Sequence, residues 1–219
     1  TKTLLYSAKI LDNIKSSAKY GISANAEPTF DLGKIIARKN KTVKKLTGGI
    51  RMRLTAHEVN IVSGISVIEG EENGNIMLSC EGEKYCAKNI LICAGSETVI
   101  PPIKGLFETG FWTSKEALES KELPQSLTII GGGVIGIEFA SFFNSMGVEV
   151  NVVEMLPEIL YNMDRESAGM LRADYTKKGV KFHLETKVVE VTPEHVVVEK
   201  DGETHHIKAD KVLVSVGRR

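Results

Sequence analysis

The sequence lacks an apolar run near the roughly 20 residues that a helix needs to cross a bilayer, and it shows no signal peptide. It lacks an excess of either charge. Lys plus Arg and Asp plus Glu number 28 each, which speaks against nucleic acid or an acidic membrane as a partner. It has no low-complexity tract, and its hydrophobic content of 42% is ordinary for a globular chain. Cysteine is scarce. Cys93 sits in the apolar run "NILICAGS" and is expected as a small core residue. Cys80 and Cys86 flank "EGEKY", a hairpin that could bring them near each other, but free thiols are the preferred reading. This usage suggests a reducing, cytoplasmic compartment. The five histidines, His57, His183, His195, His205 and His206, lie in polar or strand-edge contexts with no acid at a telling spacing. All are expected at the surface, and no metal site is expected. The chain also has no initial Met and no N-cap of its own, so a piece of a longer protein is expected.

What is present is a strand–turn–helix–strand unit, "SLTIIGGGVIGIEFASFFNSMGVEVNVVE", from Ser126 to Glu154. A short apolar run leads to Gly131, Gly133 and Gly136 at G-x-G-x-x-G spacing. A helical pattern starts at Val134 and ends at Gly147, and a β-branched run follows over Val148–Val153. Glycines on such a turn permit a tight bend, close approach of the backbone to phosphates, and close packing of helix on strand. The N–H groups and dipole of the helix start attract an anion. Glu154 closes the second strand, where an acid can accept hydrogen bonds from ribose hydroxyls and repels a 2′-phosphate. Met155, Leu156 and Pro157 follow it without an Arg, which favours NAD over NADP. The plainer alternative is a glycine turn beside a solvated acid. Glu138 is a lone acid on an apolar helix. It either complements the helix dipole or serves the cofactor.

Elsewhere, "TKTLLYSAKILDNIK" reads as a helix, followed by a polar loop. Residues 31–56 read as a long helix whose basic middle, "RKNKTVKK", is expected to be a solvated face, and which Gly48 and Gly49 should break or kink. A β pattern begins at Val59, with a buried strand at "NILICAGS". Residues 100–125 read as a connection, 164–178 as a helix and 180–184 as a strand. Three short β segments recur in order over residues 59–88 and 186–209, each set followed by an apolar run ending in Gly, "NILICAG" and "KVLVSVG". This weak internal repeat implies two related dinucleotide-binding units in series. The expected fold class is α/β, with two Rossmann-like, doubly wound, three-layer units, each carrying a small antiparallel β excursion, the first unit truncated.

"TKTLLYSAK", "LTGGI", "VSGISVI", "NILICAGSE", "IIGGGVIGIEF", "VEVNVVE" and "VLVSVGRR" together resemble successive landmarks of the flavoprotein pyridine nucleotide-disulfide reductases, and among them the dihydrolipoyl dehydrogenases most. The resemblance runs through essentially the whole chain. It implies a partial FAD-binding domain over residues 1–100, a connecting segment over 101–125 and an NAD-binding domain over 126–219. It implies that Lys2 is the flavin-contacting lysine and Glu138 its partner. Ser66, or its neighbour Gly64, falls where backbone meets the FAD adenine, and Ala94, Gly95 and Ser96 fall in a loop that touches FAD. Gly131, Gly132, Gly133, Val134, Ile135, Gly136, Ile137, Glu138, Glu154, Val188 and Gly217 match NAD contacts.

For the intact protein the resemblance implies FAD-dependent oxidation of dihydrolipoamide with hydride transfer to NAD+. It also implies a homodimer and a place in 2-oxoacid dehydrogenase complexes. The family's C-x-x-x-x-C disulfide, its N-terminal glycine turn and its C-terminal His–Glu pair have no match in the chain. No catalytic residue is therefore assigned, and the chain alone is expected to be inactive, to hold FAD poorly and to retain an NAD site. The alternatives are a reductase of the same family acting on another disulfide or a metal, and a non-catalytic NAD-binding module.

Overall fold

A computed structural model describes residues 1–23 and 26–219. By contact the chain divides into two compact units, one formed by Thr1–Asn40 with Glu97–Arg219, the other by Lys41–Ser96.

The first unit is built on a parallel sheet. Its strands are β4 (Ser126–Ile130), β5 (Glu149–Val153), β6 (Lys181–His183) and β10 (Lys211–Val214), in the order β10-β4-β5-β6. Helix α5 (Val134–Ser145) links β4 to β5, and α6 (Arg165–Lys177) links β5 to β6. This is the alternation of a doubly wound α/β fold, in which strands buried on both faces read as unbroken apolar runs. All five residues of β4 are buried. Helix α1 (Lys2–Lys15) packs on α5, with Leu4, Ala8 and Leu11 entering the same core as Phe139, Phe142 and Phe143. The N-terminal helix therefore belongs to the compact unit that carries the glycine turn. Between β6 and β10 lies the antiparallel excursion β7 (Lys187–Val191), β8 (His195–Lys200) and β9 (Glu203–Lys208). Its Val188, Val191, Val196, Val198 and Ile207 form a second core with Leu106, Val153, Val212 and Val214. The connection over 100–125 carries two short helices, α3 (Leu106–Thr109) and α4 (Ser114–Leu118), the latter held by a capping box between Thr113 and Glu116.

The second unit carries the other antiparallel excursion, β1 (Ser66–Glu72), β2 (Asn75–Cys80) and β3 (Glu83–Ala87). Residues 59–65, expected to begin the β pattern, are irregular. The run 89–95 is not a strand, and Leu91, Ile92 and Cys93 are exposed, against the expectation of a buried strand. A strand needs a neighbour for its N–H and C=O groups, and among the described residues none flanks this run. Cys80 and Cys86 lie on the expected hairpin but face Glu83 and Met77 rather than each other, and all three thiols are free.

Helix α2 (Leu32–Ala56) runs without interruption through Gly48 and Gly49, which do not break it. Glycine costs a helix about 1 kcal/mol per residue but does not forbid it, and Lys, Leu, Ile and Arg on either side are adequate formers. The helix stops where Glu58 takes a left-handed φ of 54° and Val59 N–H donates back to Leu54. Lys41, Lys44 and Lys45 are solvated as expected, but Lys39 is buried and pairs with Glu119. A buried lysine needs such a partner.

Candidate functional site

The site forms where β4 ends. Gly131 has a φ of 107° that side-chain-bearing residues rarely adopt, and an added Cβ would lie 2.5 Å from the Ser215 carbonyl oxygen. A Cβ on Gly136 would lie 2.2 Å from the Gly131 carbonyl oxygen, so α5 can sit this close to the strand only without one. Gly133 differs from both. Its added Cβ would meet nothing within 4 Å, because the position faces open space at the start of α5, a helix with no side-chain cap. The three positions thus differ: a left-handed turn at Gly131, an open position at Gly133 and close helix–strand packing at Gly136.

Glu154 is tied to that turn. Its Oε2 accepts from the Gly132 N–H at 2.6 Å and its Oε1 from the Leu156 N–H at 2.9 Å. A carboxylate offers about four lone-pair sites, so acceptor capacity remains on Glu154 for another donor. The strand-end acid is therefore held in position by the backbone before any ligand arrives.

Gly131, Gly133, Val134, Ile135, Glu154, Val188 and Gly217 line one cavity of about 990 Å³, at the upper end of ordinary ligand sites. It opens at the carboxyl ends of parallel strands, where doubly wound sheets receive ligands. Gly132, Gly136 and Ile137 form the turn and helix behind it. Lys2 donates to Glu138 at 2.7 Å, joining the start of α1 to the second turn of α5. The hydrogen bond and the charge of Glu138 raise the Lys2 pKa. Ser66, Ala94, Gly95 and Ser96 lie in the other unit. Ser66 opens β1 and is exposed, and Gly95 has a φ of 77°.

The sequence reading missed three parts of the cavity wall. Thr98, and Pro101, Pro102 and Ile103 at the start of the segment read as a connection, form one part. Met155, Leu156, Leu160, Tyr161 and Asn162 come from the loop after β5, and Arg218 from the chain beyond β10. No periodic signal marks a loop that is placed by its anchors. Two histidines expected at the surface are half-buried. His183 bonds Asn151 across β5 and β6 at 3.0 Å, and burial first, then Lys181, lowers its pKa. The His195 ring packs edge-on against His206.

Comparison with known proteins agrees with this geometry. The family model for pyridine nucleotide-disulphide oxidoreductases matches residues 1–219. The chain belongs to that family. A dihydrolipoyl dehydrogenase of Acholeplasma laidlawii is 37% identical over all of this chain and 65% of its own length. One of Thermus scotoductus is 36% identical over all of this chain and 48% of its own length. The HOCl-induced flavoprotein disulfide reductase RclA from Escherichia coli superposes with a TM-score of 0.78 at 28% identity, over 100% of this chain and 46% of that one. The chain thus spans from about half to two thirds of the length of these relatives. The family is one of flavoprotein oxidoreductases, and the fold here follows its dinucleotide-binding architecture over the span that the chain covers. Among the described residues, no group of three or more His, Cys, Asp or Glu could hold a metal ion, and no helix is long and apolar enough to cross a membrane.

Proposed function

We propose that residues 126–219 form an NAD-binding domain, that residues 1–100 are part of an FAD-binding domain joined to it by residues 101–125, and that the whole protein oxidises dihydrolipoamide and reduces NAD+. The observation that carries this reading is the open face of Gly133 beside a carboxylate already locked onto the same turn. The residues present fit an NAD molecule. The N–H groups at the start of α5 would face its pyrophosphate, and the free lone pairs of Glu154 would accept from the adenosine ribose. NAD bound there would supply a hydride acceptor, and FAD in the whole protein would supply the electrons for it. The Lys2–Glu138 pair keeps a fixed charge arrangement at the junction of α1 and α5 and would tune the flavin. Ser66, Ala94, Gly95 and Ser96 would contact FAD. Val188 and Gly217 would border the NAD.

The names of the relatives favour dihydrolipoamide as substrate. A 2-oxoacid dehydrogenase complex as the setting and a homodimer as the assembly are what the family resemblance implies, and they belong to this proposal. Another disulfide or a metal substrate is the second reading. The likeness to RclA, named as a disulfide reductase without lipoamide in its description, supports it.

Calorimetric titration with NAD and with NADP tests the site. NAD binding that exceeds NADP binding at least tenfold, and a ratio that narrows in Glu154→Gln, is the expected result. Equal binding of both rejects Glu154 as the residue that selects NAD over NADP, and binding of neither rejects NAD as the ligand of this cavity.

A further inference from the structure

The loop between β5 and α6 makes one wall of the cavity, yet it has no regular structure of its own. Its position is set at four points. Glu154, at its start, holds the Gly132 and Leu156 N–H groups. The Leu156 carbonyl accepts from the Glu185 N–H. Leu160 takes a left-handed φ of 51° and donates its N–H to the Gly132 carbonyl at 2.9 Å. Gly132, at the middle of the glycine turn, is thus gripped on both its N–H and its C=O by the two ends of the loop.

The fourth point holds the others. Glu158 is buried, 9% exposed, and faces Arg172 on α6 in a two-pronged ion pair, with Arg172 Nε at 2.7 Å from Oε1 and a terminal nitrogen at 3.0 Å from Oε2. The same Oε1 accepts from the Ile159 N–H. Ile159 is fully buried in the main core, directly before strained Leu160. A left-handed leucine costs about 1–2 kcal/mol and persists only where its surroundings over-determine it. The Glu158–Arg172 fork and buried Ile159 are those surroundings.

We infer that Arg172 and Glu158 are positioning residues for the adenosine side of the cavity, acting through Leu160 and Gly132 on the backbone against which that half of the dinucleotide lies. This rests on the proposed reading of Glu154 as the ribose-binding acid. Neither residue lines the cavity. Without the fork, Leu160 relaxes from its left-handed state, the Gly132 carbonyl loses its donor, and the turn and acid drift apart.

The test uses the whole chain with Arg172→Lys, which keeps the charge but loses the fork. A double variant, Glu158→Leu with Arg172→Met, leaves no buried charge unpaired and covers the case in which the single variant fails to fold. Affinities are measured by calorimetry for NAD, for AMP and for nicotinamide mononucleotide. Amide exchange at Gly132 and Leu160 is followed in parallel. We expect a dissociation constant about tenfold higher for NAD and AMP, the scale of one loosened hydrogen bond. Nicotinamide mononucleotide should bind unchanged, and exchange at both amides should be faster. A folded variant that binds NAD and AMP as the wild type does overturns the inference and leaves the site reading intact. Equal weakening for all three ligands overturns it too, since a general loosening of the fold would do that. A wild-type chain that binds no NAD overturns the site reading, and the inference with it.

Discussion

Gly133 and Gly136 stand three residues apart, and a methyl group at each should fail in a different way. At Gly136 the new carbon meets the backbone oxygen of Gly131, which cannot swing aside. Gly136→Ala should therefore lose about 1–3 kcal/mol of stability, visible in a thermal melt. At Gly133 the carbon meets nothing, and the backbone there is extended, at φ −72°. Gly133→Ala should melt within about 0.5 kcal/mol of wild type and still lose NAD affinity at least tenfold. An alanine there that binds NAD normally would show that the pyrophosphate lies elsewhere. Glu158 sets a pH dependence. The Arg172 hydrogen bond, more than the charges of Arg172 and Arg165, holds its carboxyl below the usual carboxylate range against the opposing effect of burial. The unfolded chain then binds a proton more readily than the folded one, so the stabilisation is present above the unfolded pKa of about 4.3 and is lost as pH falls through the folded value. Arg172 is partly open to water, so the pair is worth only about 1–3 kcal/mol. Melts of wild type and Glu158→Gln should differ by that amount at pH 7 and converge as pH falls below the usual carboxylate range.

Helix α2 and strand β6 show how far an element follows from its own residues. The glycine pair in α2 reads as a break, yet the helix continues, because nothing else nearby offers the chain a better stop. Gly48 and Gly49 have helical backbone and open space around an added Cβ. Alanine at both should raise stability, by about 1 kcal/mol per site. No change in melting or helical circular dichroism would mean that α2 is frayed there in solution. Strand β6 has only three residues, and its His183 is half-buried against Asn151. Burial and nearby Lys181 push the His183 pKa down, so the unfolded chain takes up its proton first. The stability is present above the unfolded pKa of about 6.5 and is lost as pH falls towards the folded value. His183→Gln should flatten the loss of stability between pH 7 and pH 5. An unchanged slope would place that titration elsewhere.

At the scale of the molecule the two compact units differ in how much they bury. The cores defined by β4, β5, α5 and β10 lie in the unit Thr1–Asn40 with Glu97–Arg219. In Lys41–Ser96, Ile65, Leu91 and Ile92 are 82%, 88% and 71% exposed, which leaves that unit little apolar burial of its own. Local opening free energy follows buried apolar contact. Amides of β1, β2 and β3 should exchange well before those of β4 and β5, measured residue by residue. Matched protection in both units would mean that the second is stabilised in solution by contacts absent from its own packing.

Much of the first unit was legible because its signals are local. An apolar run, glycines at fixed spacing, a helical period and a second apolar run each depend on a handful of consecutive residues, and β4, α5 and β5 appear within a residue of where they read. The acid at the strand end was legible for the same reason, as were both antiparallel excursions. The family's landmarks also pointed to Lys2 and Glu138, which meet at 2.7 Å. What failed was whatever needs a distant partner. "NILICAG" has strand composition, but composition supplies no neighbouring strand, so Cys93 is exposed. Lys39 looked solvated until Glu119 came beside it, and His183 until Asn151 did.

By itself, the sequence determined the strand–turn–helix unit, the sign and place of the strand-end charge, and the kind of fold, because backbone sterics and hydrophobic period act over short range. Only the tertiary structure decided that Glu154 grips the glycine turn, that Leu160 is held in a strained state, and that Glu158 and Arg172 anchor the cavity wall. Those contacts join residues whose spacing carries no pattern, and the energy that selects them exists only once the sheet has brought them together.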